Sequence, residues 1–160
     1  MYGFNAVTLD KKGRLLVPAR YRDVLQLQKY NKIVITKDPQ YSSLKVYTSS
    51  EWEQISKKLE SLQGLDPIVR NLQWTILGNA YECDLDVSGR MLLRIPTDLQ
   101  IYSEIQNQKQ IAFVGMGNKF EIWNIKNWEM RQTGGPLSAE ILDVVLPAVS
   151  YTHLRAHETQ

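Results

Sequence analysis

Two short stretches of this chain could do chemistry, and one echoes the other. Asp10-Lys11-Lys12-Gly13-Arg14 returns 76 residues later as Asp86-Val87-Ser88-Gly89-Arg90. Each places a carboxylate, a glycine and a guanidinium in the order D-x-x-G-R. An aspartate here can accept hydrogen bonds from the backbone of its own loop, and a glycine can take the positive φ that closes it. Asp10, Gly13, Asp86 and Gly89 therefore read as turn residues. Arg14 follows Asp10 by four positions, so the two side chains can pair across the turn. The cations offer a different chemistry. Within residues 10–22, Lys11, Lys12, Arg14, Arg20 and Arg22 stand against Asp10 alone, a net +4. Within residues 86–98, Arg90 and Arg94 are balanced by Asp86 and Asp98. A basic hairpin tip suits a phosphate backbone. A solvated charged loop is the bland alternative, and charge alone favours it.

These turns need elements to hold them. Val7-x-Leu9 alternates into the first turn and Leu15-x-Val17 alternates out of it, which predicts a β-hairpin. The echo continues downstream. Leu44-Lys45-Val46-Tyr47, followed by Trp52-Glu53, returns as Phe120-Glu121-Ile122-Trp123, followed by Trp128-Glu129. That is a duplicated module, and a module this small buries little core by itself, so the copies are expected to pack together. The spacing predicts repeat one over 5–50, a helical linker over 51–78, repeat two over 79–122 and C-terminal helices over 123–148. Within the linker, Ser50-Glu51-Trp52-Glu53 reads as a capping box, and Asp66-Pro67 as the start of a second helix. Pro96 falls two places later in its repeat than Pro18, so contacts should not be copied one for one. Tyr47, Trp52, Trp74, Trp123 and Trp128 read as packing aromatics rather than a stacking platform for bases.

Composition bounds the class. The 160 residues are 43% hydrophobic and 22% charged, which predicts a folded globule. No apolar run is long enough to span a membrane. Met1-Tyr2-Gly3-Phe4 lacks the basic region and apolar core of a signal peptide, so a cytoplasmic setting is expected. Cys83, the single cysteine, aligns with Val7 and reads as a small core residue. The only histidines, His153 and His157, lie at the far C-terminus. Metal-ligand spacing, a nucleophile with its base and a glycine-rich phosphate loop are all missing, so no enzyme, cofactor, metal or small-molecule substrate is expected. Asp84 and Asp86 share a strand face, which is a weak metal or acid-base hint at most.

The chain resembles the MraZ family, bacterial regulators of the division and cell-wall gene cluster built from two SpoVT-AbrB-type swapped-hairpin domains. The resemblance covers about residues 1–130. Its specific stretches are Leu9-Asp10-Lys11-Lys12-Gly13-Arg14-Leu15, Pro18-Ala19-Arg20-Tyr21-Arg22, Leu77-Gly78-Asn79-Ala80-Tyr81-Glu82-Cys83 and Asn118-Lys119-Phe120-Glu121-Ile122-Trp123. It implies an α+β fold of duplicated swapped hairpins, with a compact β core and flanking helices. It also implies nucleoid-associated transcription control, ring-like homo-oligomers and binding to short direct repeats in double-stranded promoter DNA, the chain's own promoter included. Lys11, Lys12 and Arg14 would sit at the reading tip, flanked by Arg20 and Arg22. Arg90 either joins them or holds its own loop through Asp86. The rival is an AbrB-like antitoxin module that binds protein, but such proteins usually carry one hairpin domain and a disordered acidic tail. Residues 149–160 are similar to an in-frame translation of a sequencing-library adapter and are left out of the fold.

Overall fold

Alternating apolar strands need a partner surface, and each repeat of this chain finds it in the other. The computed structural model describes residues 1–27, 32–85, 90–133 and 136–146. Repeat one contributes β1 (Tyr2–Thr8), β2 (Arg14–Leu16), α1 (Ala19–Leu27), β3 (Lys32–Lys37) and β4 (Leu44–Thr48). Helices α2 (Ser49–Ser61) and α3 (Pro67–Ile76) follow. Repeat two contributes β5 (Tyr81–Asp84), β6 (Leu92–Arg94), α4 (Thr97–Tyr102), β7 (Gln110–Met116) and β8 (Lys119–Trp123). Two more helices, α5 (Ile125–Arg131) and α6 (Ala139–Val145), complete the described chain.

The large sheet runs β1-β7-β8-β4-β3-β5, and β2 pairs β6 in a separate two-stranded ribbon. All pairs are antiparallel. The first strand of each repeat is handed to the other: β1 pairs β7 and β5 pairs β3. This corrects the simple hairpin reading. The first turn does close, with the Asp10 N–H donating to Arg14 O at 2.9 Å. Beyond it β1 and β2 part, β1 to β7 and β2 to β6 of the other repeat. Leu15 faces Leu93 at the centre of the ribbon, and each is 1% exposed.

The exchange is symmetric in register. Lys45 faces Glu121 in the large sheet, 76 positions on, whereas Leu15 and Leu93 are 78 apart. Pro18 and Pro96 are also 78 apart. The second repeat is therefore two residues longer between its turn and its proline. It is two residues shorter between β7 and β8 than the first is between β3 and β4, which restores the original spacing.

The core of residues 1–128 is built from both repeats, including Leu15, Leu25, Ile35, Leu44, Leu93, Leu99, Ile111 and Ile122. Tyr21, Phe113 and Phe120 meet at its centre with ring centroids 4.9–6.0 Å apart. Val7 and Cys83 pack on this core as the alignment predicts, and burial pushes the Cys83 thiol up. Asp66 caps α3 through the Ile68 N–H at 2.9 Å, with Pro67 in the first turn. The capping-box reading at Ser50 shifts by two: the cap of α2 is Thr48, whose hydroxyl accepts from Glu51 N–H at 3.4 Å. The described residues from 129 onward belong to a second unit, in which Ser138 caps α6 at 3.3 Å. Among the described residues no helix is long and apolar enough to cross a membrane.

Candidate nucleic-acid interface

At the first turn the sequence dictates a loop that closes on its own aspartate. Asp10 Oδ1 accepts the backbone N–H groups of Lys12 at 2.9 Å and Arg14 at 2.8 Å. Asp10 Oδ2 takes Arg14 Nε at 2.9 Å. The Arg14 backbone N–H, followed by its guanidinium, holds the Asp10 carboxyl below the usual aspartate range. The bond engages Nε of Arg14, and the side chain stays 39% exposed. Gly13 has φ +76°, and a Cβ there would stand 2.3 Å from Gln100 Nε2 and 3.1 Å from Ile95 O. The loop thus requires glycine for its conformation and for the closeness of repeat two.

The tip rests on that repeat. Gly13 O accepts from Ile95 N–H at 2.8 Å, and Gln100 Nε2 donates to Ile95 O at 2.8 Å. Across the ribbon Arg14 is paired directly with Arg94. Leu15 and Leu93 point inward, so the outward face carries Arg14, Leu16, Leu92 and Arg94. One polar depression is lined by Lys11, Lys12 and Arg14 from repeat one and by Arg94, Gln100 and Asn107 from repeat two.

The structure brings Lys11, Lys12 and Arg14 together at one tip, as the sequence predicts. It places Arg20 elsewhere. Its Nη2 donates to Phe4 O at 3.0 Å and its guanidinium lies 4.9 Å from the Tyr21 ring centroid, so Arg20 braces β1. Arg22 is half-buried, with Nε enclosed and without a partner among the described residues. By the 78-residue spacing it holds in repeat one the position of Gln100 in repeat two. Arg90 is exposed beside the buried Met91, which has φ +48°. Asp86 and Gly89, the turn residues of the second tip, lie outside the described residues, and so does any pairing of Asp86 with Arg90 or Asp84. Among the described residues no three metal-ligating side chains converge.

Arg94 is the residue that sequence reading passed over. Its charge is cancelled by Asp98 in a linear count, yet Asp98 takes the Tyr81 hydroxyl at 3.0 Å. The delayed Pro96 was the available signal. Shifting repeat two by two places puts Arg94 where repeat one has the outward Leu16. The aromatics mostly pack: Tyr47 against Trp52, and Trp123 against Trp128, both pairs at 5.9 Å. Trp74 differs, being 62% exposed with Arg70 beside its ring at 5.3 Å.

A family model described as "MraZ protein, putative antitoxin-like" matches residues 1–71 and 76–133. Three similar proteins are each named Transcriptional regulator MraZ. The one from Tolumonas auensis is 46% identical over 126 residues, 79% of this chain and 80% of that protein. The one from Shewanella pealeana is 43% identical over 129 residues, 81% and 82% of the two chains. The one from Legionella pneumophila strain Corby is 37% identical over 130 residues, 81% and 83%. Swapped paired modules, a self-closed basic tip and similarity across nearly the whole described chain agree: this chain belongs to the MraZ family.

Proposed function

We propose that this MraZ-family transcriptional regulator reads double-stranded promoter DNA, its own promoter included, with the first hairpin tip as the reading head. The observation that carries the reading is the Asp10–Arg14 pair. Asp10 holds Arg14 through Nε at 2.9 Å, and the arginine side chain stays 39% exposed for a partner. A guanidinium so held suits bidentate recognition of guanine O6 and N7, and the major groove admits a two-stranded element. Exposed Lys11 and Lys12 beside it suit phosphates. Arg22 and Arg90 serve as flanking cations, while Arg20 acts through the strand it braces. The targets are short direct repeats upstream of the division and cell-wall gene cluster, bound by a ring-like homo-oligomer at the nucleoid in the cytoplasm. One tip makes few contacts, so several copies on repeated sites supply the specificity.

The test is affinity against salt, on a duplex from the chain's own upstream region and on a scrambled one. Arg14→Ala loses preference for the specific duplex, a base-edge contact being worth about 1–3 kcal/mol. Lys12→Ala weakens both duplexes evenly and makes the salt slope about one unit shallower. An Arg14 variant that binds both duplexes as wild type does would favour the antitoxin-like, protein-binding reading instead.

A further inference from the structure

The first tip is not made by the first repeat alone. Its loop carbonyl at Gly13 is held by Ile95, Ile95 O by Gln100 Nε2, and the Gln100 carbonyl accepts the Ile105 N–H at 3.0 Å. Ile105 O accepts Gln108 N–H at 3.0 Å, and Lys109 O takes Leu9 N–H at 3.0 Å, one residue before Asp10. This relay ties the 105–109 loop to the tip. The surface above it is continuous: Lys11, Gln100 and Asn107 line both the depression that holds Arg94 and the neighbouring one that holds Lys109. Asn107 keeps φ +63°, a conformation a short polar side chain tolerates. Among the described residues the only carboxylate lining either depression is Asp10, already engaged by Arg14. Glu104, on the same loop, accepts from Asn127 Nδ2 at 2.6 Å.

We propose that Arg94 and Lys109, both from repeat two, hold DNA phosphates on either side of the base step that Arg14 faces, so that the reading head is a composite of the two repeats. The inference rests on the reading of the first tip as the DNA-contacting element. Two exposed cations fixed to one loop-and-ribbon platform, with neutral amides between them, make a track for a polyanion. They make a poor track for an acidic side chain, which would need only one of them. Arg94 stands opposite Arg14, and that like-charge pairing costs the isolated protein stability. A bound phosphate between them relieves it.

The experiment measures binding of the full chain to its upstream duplex and to a scrambled duplex across a salt series. Arg94→Ala and Lys109→Gln each weaken both duplexes by the same factor, and each makes the log–log salt slope shallower by about 0.9. Arg94→Lys restores the slope, because a phosphate contact needs the charge rather than the fork. Lys58→Gln, on α2, leaves the slope unchanged and controls for net charge. Wild-type slopes in the Arg94 and Lys109 variants overturn the composite head. So does a change no larger than that of Lys58→Gln, or failure of Arg94→Lys to restore the slope. Arg14→Ala in the same series separates the two ideas. If it loses preference while the Arg94 and Lys109 variants behave as wild type, only the composite falls. If Arg14→Ala also binds as wild type, the reading of the first tip falls with it.

Discussion

A single carboxylate organises the first tip. Asp10 binds two backbone N–H groups and the Arg14 guanidinium, so its ionised form is favoured in the folded chain and its carboxyl sits below the ordinary value of about 3.8. A lowered folded value has a definite sign. The stabilisation is complete above the ordinary value and is lost as pH falls through the folded one. Asp10→Asn keeps one oxygen for the two backbone donors but removes the charge. Thermal melts should therefore show wild type ahead of Asp10→Asn at neutral pH, with the gap narrowing below about pH 3.8. A gap constant down to strong acid would mean that the charge contributes nothing to the tip. The same substitution should blunt preference for the specific duplex, since Arg14 then loses the partner that aims it.

At the scale of elements, the β2–β6 ribbon carries the first tip on repeat two. Leu15 and Leu93 face each other at its centre, fully buried. Leu93→Ala should cost about 2–5 kcal/mol in urea unfolding, the usual range for a buried leucine. It should also weaken DNA binding, although residue 93 touches no surface that DNA could reach. A cost under about 1 kcal/mol would show that the ribbon does not anchor the core. Much of this level was legible from sequence. D-x-x-G-R gave the turn, Asp66-Pro67 gave a helix start, and alternation gave the faces of the strands. Alternation does not name a partner, however, because any apolar strand of matching face satisfies it. That is why a hairpin reading of Val7 to Val17 missed the exchange of β1 to β7. Arg94 was hidden for a related reason: a linear charge count cancels it against Asp98, whereas pairing across the ribbon sets it opposite Arg14. Arg20's bond to Phe4 O was not legible either, since its proximity in sequence to the tip says nothing about it.

At the scale of the whole molecule, α3 leaves apolar surface uncovered. Ile68 is 72% exposed and Trp74 62%. If copies of the chain cover it, light scattering should give a multiple of the chain mass that falls for Trp74→Lys. The tail from 149 onward lies beyond the residues matched to the family, which end at 133. A chain stopped after residue 148 should keep the same multiple and the same DNA affinity. A change in either would make that tail part of the working protein. The two-residue shift between the repeats has a consequence of another kind. Two equal halves exchanging strands would give a body that looks the same from both ends, and such a body is matched by palindromes. Here one end of the ribbon pairs Arg14 with Arg94, and the other pairs Leu16 with Leu92. On the reading proposed for the first tip, unequal ends make the chain an arrow that lies along a duplex in one sense, and the sites expected to suit it are copies written in the same orientation, one after another.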